Sequence, residues 1–371
     1  MRFPGFEGEW ESCELGEIAE LSKGAGISKD QRSSDGNPCI LYGELYTTYL
    51  TEIIDEVVSK TNLDPTGLVK SKANDIIIPA SGETAIDIST ARCVLHDDVL
   101  LGGDLNIIRL NEQDGKFFSY QLNGVRKKDI ARIAHGVSIV HLHGNALSHI
   151  VVNYPSRREQ EKISSLLSLI DQRIAIQNKV IERYQSLIRT LYREMMPHND
   201  VEVVSLGSLV KIGKGKQVNG ELLSDEGPFY VMNGGITPSG YFDDFNTPPE
   251  TISISEGGNS CGYVQFNDKP FWSGGHCYTL LEPKTDVVHY KYLFHYLKSQ
   301  QDEIMALRIG SGLPNIQKKD IEKFPVRLPR LEVQVQLAEL FEAFCQKERT
   351  ETDYQDLLCK QKHYILASVL I

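Results

Sequence analysis

The sequence predicts an α+β protein with two similar mixed α/β domains separated by two long antiparallel coiled-coil helices, a dumb-bell with pseudo-two-fold symmetry. Three observations lead to this prediction. The 371 residues repeat at about half the chain length, a heptad pattern follows Pro155, and a second helical segment follows Pro329. Self-similarity at a fixed period reflects repeated structural units, so the repeat indicates the architecture before any single element is assigned.

The two halves share short strands that run into glycine turns. Each half has a Leu-Gly pair near its start, a strand that ends in glycine, and then a Gly-Gly pair before an apolar strand. The matching segments, first half before second half, are Leu15-Gly16 and Leu206-Gly207, Asp75–Gly82 and Thr251–Gly258, and Gly102-Gly103 and Gly274-Gly275.

The ends of the two halves align best. Gly136-Val-Ser-Ile-Val and Gly310-Ser-Gly-Leu-Pro each lead, nineteen residues later, to a proline, and a helix follows each proline. We therefore expect a domain at 1–155, a helix at 156–197, a second domain at 198–329 and a second helix at 330–371.

The first helix carries the clearest periodic pattern. Apolar residues recur at alternating spacings of four and three, interrupted once at Gln177, which is typical of a heptad seam. About forty residues in this conformation span about 60 Å. The seam positions are Ile163, Leu167, Ile170, Ile174, Ile181, Tyr184, Ile188 and Leu191.

The second helix keeps the same frame with a more polar seam. Its apolar positions are Leu337, Phe341, Phe344, Leu358 and Ile365, and its polar ones are Glu348, Glu351, Gln355 and Lys362. Looser packing is expected in its middle. A single helix of this kind could lie on its own domain, but two in equivalent places favour an antiparallel pair, because the second can return alongside the first.

Composition limits the class of protein. No apolar stretch approaches the length of a membrane span and the N-terminus carries acids, so we expect a cytoplasmic protein without a membrane partner. The seven cysteines form no C-x-x-C pair, which favours reduced thiols. The net charge is −11, and only 156–197 is basic overall, with eight basic and five acidic side chains. Any phosphate-binding surface must therefore be local.

Nucleic-acid contact is the predicted role of the loops, where small residues permit close approach beside basic or amide side chains. Lys23-Gly24 and Lys214-Gly-Lys216-Gln217 follow the first strand of each half, although an ordinary solvated turn is the competing interpretation. The candidate DNA contacts are Lys23, Lys29, Arg32, Ser81, Arg126, Lys127, Lys128, Lys214, Lys216, Gln217, Asn233, Asn259, Arg308, Ser311, Asn315, Gln317 and Lys318.

Motifs for catalysis are incomplete in the sequence. Gly207 to Gly213-Lys214 has one residue too many for a phosphate-binding loop, and Gly215 replaces its hydroxyl residue. Pro248-Pro249 lacks the flanking residues that adenine methylation needs. His141 and His143 share a strand face with no convincing metal-ligand spacing, so a surface or core role is expected. We predict no catalytic residue, metal or cofactor.

The whole chain resembles the specificity subunit of type I restriction-modification systems. The resemblance is carried by the opening Arg2-Phe-Pro-Gly-Phe-Glu-Gly-Glu-Trp10, the Leu-Gly pairs, the segment Gly310-Ser-Gly-Leu-Pro-Asn-Ile-Gln317, and the proline followed by Arg158-Glu-Gln-Glu-Lys-Ile163. In this sequence the second helix shows Glu332-Val-Gln334 in place of the Glu-Gln pair.

The resemblance implies a non-catalytic subunit that serves DNA methylation and defence against phage. It implies two target recognition domains, at 1–155 and 198–329, that read an asymmetric split site in double-stranded DNA. It further implies that the helices dock two methyltransferase subunits, and through them restriction subunits. Two alternatives from the residues alone are a coiled-coil scaffold that binds only proteins and a stand-alone enzyme built on the glycine-rich loops.

Overall fold

The computed structural model describes residues 2–197, 201–310 and 312–370. The chain divides into two compact units, Met1–Asn178 with Asp353–Ile371, and Lys179–Thr352. We call them the first unit and the second unit. Each unit contains one mixed α/β domain together with part of each of two long helices, because the divisions fall inside those helices.

The first unit is built mainly from short strands. In chain order they are β1 (Glu11–Glu14), β2 (Ala19–Lys23), β3 (Arg32–Ser33), β4 (Asn37–Ile40), β5 (Ile53–Ile54), β6 (Ser59–Thr61), β7 (Ile76–Pro79), β8 (Ser81–Gly82), β9 (Arg92–Val94), β10 (Leu100–Leu101), β11 (Leu105–Leu110), β12 (Val140–His141) and β13 (Val151–Tyr154).

Short helices connect these strands, and a 3-10 turn occupies Lys29–Gln31. The helices that begin in this unit are α1 (Leu15–Ile18), α2 (Glu44–Thr47), α3 (Ala85–Ile88), α4 (Gly115–Asn123), α5 (Lys127–Arg132), α6 (Gly144–Ser148) and the long α7 (Arg157–Met195).

A five-stranded sheet in the order β2-β11-β7-β9-β5 forms the centre of the first domain. Side chains of a strand alternate between the two faces of a sheet. Ile76 and Ile78 of β7 accordingly belong to the core that also contains Phe117, whereas Ile77 belongs to a separate core with Leu45. Both faces of β7 are covered, which explains its uninterrupted apolar run.

The second unit contains fewer strands. They are β14 (Glu202–Ser205), β15 (Lys211–Lys214), β16 (Phe229–Met232), β17 (Tyr241–Phe242), β18 (Thr251–Ser255), β19 (Val264–Asn267), β20 (Trp272–Ser273), β21 (Cys277–Leu281) and β22 (Pro325–Leu328). A 3-10 turn occupies Gly220–Leu222. The helices are α8 (Leu206–Leu209), α9 (Tyr290–Ser299), α10 (Gln301–Ala306), α11 (Lys318–Glu322) and the long α12 (Leu331–Val369).

The two domains share one topology. The sheet β15-β21-β18-β19 repeats the order β2-β11-β7-β9. Strand β16 pairs antiparallel with β17 and parallel with β20, as β4 pairs with β6 and β10. The pair β14-β22 matches β1-β13. The repeat that the sequence predicts is therefore present as two mixed α/β domains with the same strand order.

Both long helices have 39 residues, which corresponds to about 60 Å each. On α7 the predicted seam residues Ile163, Leu167, Ile170 and Ile181 are buried, and Ile174, Tyr184, Ile188 and Leu191 are half-buried. On α12 the buried seam residues are Leu337, Phe341 and Leu358, with Phe344 and Ile365 half-buried.

Cross-helix contacts are antiparallel within each unit. In the first unit Lys362 Nζ lies 2.7 Å from Asp171 Oδ1, and Gln355 donates to Asn178. In the second unit Gln185 donates to Glu348 at 2.9 Å, and the rings of Tyr192 and Phe341 lie 4.7 Å apart. Residue numbers rise along α7 as they fall along α12. Three of the four polar seam positions of α12 that the sequence singles out, Glu348, Gln355 and Lys362, therefore have polar partners on α7, whereas Glu351 pairs with Lys347 of α12.

Each long helix begins with the same glutamine contact. Gln160 donates to the Pro155 carbonyl at 2.8 Å and accepts from the Asp114 backbone N–H at 2.9 Å. Gln334 donates to the Pro329 carbonyl at 2.9 Å and accepts from the His289 backbone N–H at 2.8 Å. The second helix therefore keeps the glutamine of the Glu159-Gln160 pair as Gln334, and only Glu159 has no counterpart there.

Glu159 instead holds the N-terminal segment. It lies 2.9 Å from the Arg2 guanidinium and accepts a hydrogen bond from the Phe3 backbone. Trp10 packs edge-on against Phe117. The opening motif of the chain thus packs on the first domain beside the start of α7.

The composition predicts reduced cysteines and no membrane span. All seven cysteines lie in the described part of the chain and each is a free thiol. Within 2–197, 201–310 and 312–370, none of the helices combines the length and the apolar character needed to cross a bilayer.

Candidate nucleic-acid interface

Loops from distant parts of the second domain meet around Glu256. The backbone N–H of Glu256 donates to the His276 carbonyl at 2.9 Å, and the Glu256 carbonyl accepts from Ile316 at 2.9 Å. Gly258 donates to the Pro314 carbonyl at 3.0 Å, and Asn233 Oδ1 accepts from the His276 backbone at 3.0 Å. These bonds bring the segments 233–235, 256–259, 274–276 and 314–317 together.

The Lys214-Gly-Lys216-Gln217 turn belongs to the same cluster. Gly215 donates to the Cys277 carbonyl and Lys216 to the Ser273 carbonyl, at 2.9 and 2.8 Å. A Cβ at Gly215 would collide with the Gly274 carbonyl, so this turn and the glycine pair require each other. In the first domain Gly24 stands in the same relation to Gly102. The paired glycine motifs of the sequence are therefore two sides of one close backbone contact in each domain.

Glu256 is a buried acid whose Oε1 atom accepts two hydrogen bonds, whereas its buried Oε2 atom has no hydrogen-bond partner among the described residues. Its carboxylate accepts from Lys214 Nζ at 2.6 Å and from the Tyr278 hydroxyl at 2.9 Å, and His276 Nδ1 lies 3.3 Å away. Burial by itself would raise the pKa of Glu256. The hydrogen bonds from Lys214 and Tyr278 outweigh this effect, so the pKa of Glu256 lies below its ordinary value. Glu256 is consequently ionised at neutral pH and compensates the charge of Lys214.

Most other candidates in the second domain project into solvent. Lys216, Gln217, Asn259, Arg308, Asn315, Gln317 and Lys318 are exposed, and Asn233 is half-buried. Lys318 lies 3.6 Å from Glu322 in the next turn of α11. Ser311 lies outside the described residues. The structure thus gathers amide and basic side chains on one set of loops, in which the ammonium group of Lys214 is already paired.

An open cleft of about 950 Å³ lies beside the equivalent loops of the first domain. Its lining includes Lys23, His135, His143 and His149. His149 Nδ1 lies 2.8 Å from a carboxylate oxygen of Glu14. Lys23 is exposed and enters this cleft from the end of β2, the position that Lys214 occupies on β15.

The remaining first-domain candidates are placed less uniformly. Lys29, Arg32 and Lys128 are exposed. Arg32 lies 3.5 Å from Glu44. Ser81 is buried and donates to Asp104 at 3.1 Å, so its hydroxyl is already engaged.

Two further basic candidates are held against the first domain itself. Arg126 and Lys127 are half-buried, and Arg126 lies 3.6 Å from Asp129. Lys127 donates to the Thr90 hydroxyl at 3.3 Å, and burial lowers its pKa. Less of their charge is therefore available to a phosphate than the sequence suggests.

Histidines are the functional candidates that sequence reasoning missed. His141 and His143 are exposed, and their rings are nearly parallel with centroids 6.5 Å apart. Among the residues with described positions, no cluster of three or more ligating side chains is suited to a metal ion. The repeat alignment at Gly136 and Gly310 contained the signal, since it sets these histidines opposite Asn315 and Gln317.

The family comparison covers both halves of the chain. A model of the type I restriction modification DNA specificity domain matches residues 7–183 and again 198–357. Each match spans one domain and the adjoining part of a long helix, in agreement with the repeat.

Named relatives match smaller portions. A Mycoplasma pneumoniae protein named as a type I specificity subunit is 39% identical over 124 residues, 33% of this chain and 33% of the relative. The specificity subunit of the type I restriction enzyme MjaVIII from Methanocaldococcus jannaschii is 28% identical over 157 residues, 39% of this chain and 36% of that protein. The matches therefore span about a third of the length of these curated relatives.

Solved structures agree with the fold over nearly the full length. The S subunit of a type I restriction-modification system from M. genitalium superposes with a TM-score of 0.67 at 19% identity, covering 99% of this chain and 98% of the other. A chain from a study of complex assembly in the type I R-M system gives 0.59 at 16% identity, with 97% of each covered.

Proposed function

Because the chain belongs to the family of type I restriction modification DNA specificity domains, we propose that it is the DNA-reading specificity subunit of a type I restriction-modification complex. The observation that carries the proposal is the repeated loop cluster. In each domain the first strand of the central sheet ends in a lysine, Lys23 or Lys214, and the glycine that follows it packs against a Gly-Gly pair. Two such clusters with different side chains suit an asymmetric site in double-stranded DNA.

The domains and helices take separate roles in this proposal. Residues 1–155 and 198–329 form the two target recognition domains, and 156–197 and 330–371 form the spacer between them, in a dumb-bell with pseudo-two-fold symmetry. Helices of about 60 Å would separate the two half-sites by less than two turns of duplex, at about 34–36 Å per turn. The spacer would thus determine how many unread base pairs lie between them.

The long helices also suit protein partners, which we identify as two methyltransferase subunits that in turn bring restriction subunits. Large apolar side chains outside the seam are exposed on both helices, including Leu169 at 58%, Ile176 at 62% and Leu357 at 61%. Exposed apolar surface of this kind marks interaction sites. With a net charge of −11, the chain would gain positive charge for DNA from such partners.

Chemistry belongs to the partners in this assignment. The methyltransferase subunits would supply the methyl donor and the reacting site, and this chain would supply sequence choice without a cofactor of its own. Its place of action would be the cytoplasm, where cellular and phage DNA are met.

Methylome mapping tests the proposal. The chain is coexpressed with its methyltransferase subunits, and adenine methylation is mapped with and without it. We expect a bipartite asymmetric motif that requires this chain. Exchanging 198–329 for the matching segment of a relative should change one half of the motif and leave the other.

Two outcomes count against the proposal. Methylation that does not depend on the chain would show that it has no part in sequence choice. Equal affinity of the assembled complex for the motif and for shuffled duplexes would favour the scaffold that binds only proteins.

A further inference from the structure

The closing loop of each domain has the same backbone framework. His135 and His141 exchange two backbone hydrogen bonds, of 2.9 and 2.8 Å, and Ile309 and Asn315 exchange two of 2.8 and 3.0 Å. The glycine after the first member of each pair, Gly136 or Gly310, has a positive φ. The loops 135–143 and 309–317, of which Ser311 lies outside the described residues, therefore share one backbone framework.

Contacts to the preceding strand fix the register of this comparison. Leu142 donates to the Ala80 carbonyl at 2.9 Å, as Ile316 donates to the Glu256 carbonyl at 2.9 Å. His141 pairs with Ser81, as Asn315 pairs with Gly257. His141 thus occupies the position of Asn315, and two residues later His143 occupies the position of Gln317.

Both loops present an apolar tip to solvent. Ile139 is 58% exposed and its equivalent, Leu313, is 87% exposed, while Val137 is 99% exposed. An exposed aliphatic residue at the same place in two diverged domains suits a contact with a base or a groove wall rather than a packing role. The polar pair His141 and His143 follows this tip directly.

We propose that His141 and His143 determine the bases read by the first target recognition domain, taking the role that Asn315 and Gln317 take in the second. The inference rests on the proposed function. A neutral imidazole presents its donor and its acceptor nitrogen in diverging directions, whereas an amide presents its donor and acceptor side by side and can bond two atoms of one base edge. The two domains would thereby read different bases through one backbone framework.

The cleft beside this loop offers a binding place for a phosphate of the DNA backbone. Lys23 lines it together with His135 and His143. A phosphate on Lys23 would position the duplex, and bases would be read beyond it, because phosphate contacts fix register whereas base contacts carry sequence information. Ala80 stands where the second domain has Glu256, so Lys23 has no carboxylate at the position from which Glu256 neutralises Lys214.

The double variant His141→Asn with His143→Gln tests the inference, because it gives the first domain the side chains of the second. In the complex with methyltransferase subunits we expect the motif to change or relax by about 10- to 100-fold in preference at the half read by 1–155. The other half stays as it was. That half is identified independently by exchanging 1–155 for the matching segment of a relative.

The control is His96→Asn, an exposed histidine of the first domain that does not line the cleft. It should leave both halves unchanged. If the double variant methylates the wild-type motif, with both half-sites intact, at the wild-type rate, the inference is overturned and the proposed function stands. Loss of methylation at both halves with a lowered Tm would also overturn it, by showing a structural role. A wild-type complex without any bipartite motif would instead overturn the proposed function.

Discussion

Gln160 and Gln334 make the same two hydrogen bonds at the first turn of α7 and α12. Each donates to the proline carbonyl five residues earlier and accepts from the backbone N–H that begins α4 or α9. Both side chains are buried, at 0% and 1% exposure. Each glutamine thereby adds two buried hydrogen bonds to the apolar packing that joins its domain to the helix, which includes Ile163 and Leu167 on α7 and Leu337 and Phe341 on α12.

Replacing either glutamine by alanine should therefore destabilise the protein. Gln160→Ala leaves the Asp114 N–H and the Pro155 carbonyl without their partner in a buried place, which costs about 1–3 kcal/mol. The free energy of unfolding from urea titration measures the loss. The matched control is Gln172→Ala on the exposed side of α7, which should change it by less than about 0.5 kcal/mol. Equal effects of the two variants would contradict the assignment.

The buried ion cluster of the first unit leads to a second prediction. Lys362 Nζ lies 2.7 Å from both Glu52 and Asp171, and Tyr120 donates to Asp171 at 2.6 Å. Burial alone would lower the pKa of Lys362, but the two carboxylates raise it above the ordinary value. Lys362→Met leaves two buried carboxylates unpaired, so we expect a loss of about 3–5 kcal/mol in the free energy of unfolding.

The control for this variant is Lys360→Met, an exposed lysine of the same helix. A further variant, Lys362→Met with Glu52→Gln and Asp171→Asn, should recover part of the loss because it removes the uncompensated charge. If Lys362→Met is as stable as the wild type, the cluster does not hold α12 on the first domain.

His295 should make the second unit sensitive to acid. Its Nδ1 lies 2.8 Å from the Tyr192 hydroxyl and its Nε2 lies 2.9 Å from a Glu342 carboxylate oxygen, so both ring nitrogens have hydrogen-bonding partners. Burial lowers the pKa of His295 despite the opposing effect of Glu342. Below the ordinary value of about 6.5 the unfolded chain binds a proton that the folded protein does not. Stability from this group is thus present above pH 6.5 and decreases as the pH falls.

Glu342 adds a second, more acidic window. The hydrogen bond from His295 lowers its pKa to about 2, so its contribution is present above the ordinary value of about 4.5 and is lost as the pH falls toward 2. His295→Gln keeps a donor and an acceptor but does not titrate. The free energy of unfolding should therefore fall less between pH 7 and 5 in this variant, whereas the exposed His363→Gln should follow the wild type.

The sequence predicted those features that depend on short-range pattern. The heptads of α7 and the glycine turns are local, so their spacing shows in the chain. The partners of Glu256 and Lys362 are not local, since Lys214 is 42 residues from Glu256, and Glu52 is 310 residues from Lys362. No pattern along the chain signals such pairs, and only the folded topology brings them together.

The histidines show a different limit. His141 and His143 were visible in the sequence but were weighed as metal ligands, a role that depends on spacing among themselves. The repeat aligned at Gly136 and Gly310 already sets them opposite Asn315 and Gln317, but the side chains differ, so the alignment alone does not indicate a shared role. The equivalent backbone pairs His135–His141 and Ile309–Asn315 show that the two loops have one framework.

Lys214 and Lys216 of the second domain should differ in their contact with DNA phosphates. In the described part of the chain the Lys216 ammonium has no acidic partner, whereas Lys214 is paired with Glu256. Lys216→Ala should weaken binding of the assembled complex to all duplexes alike and reduce the salt slope by about 0.9 for one lost phosphate. Fluorescence anisotropy over a salt series measures it. Lys211→Ala, at the start of β15 and paired with Glu282, should leave the slope unchanged.

Lys214→Ala should behave differently from Lys216→Ala. It leaves the Glu256 carboxylate without its ammonium partner in a buried place, so we expect a lower Tm together with a small change in salt slope. A salt slope reduced as much as in Lys216→Ala would show that Lys214 releases Glu256 when DNA binds.

The aliphatic tip of the second domain supplies the last prediction. Leu313 is 87% exposed, so Leu313→Ser removes no packing from the folded chain and should leave Tm unchanged. If the side chain is buried against DNA, its loss costs about 1.4 kcal/mol, which is about ten-fold in affinity for the cognate motif. Val203→Ser, at an exposed aliphatic position in β14, is the matched control and should bind as the wild type does. Wild-type affinity of Leu313→Ser for the cognate duplex would exclude the tip from the interface and confine reading to the amide and basic side chains around it.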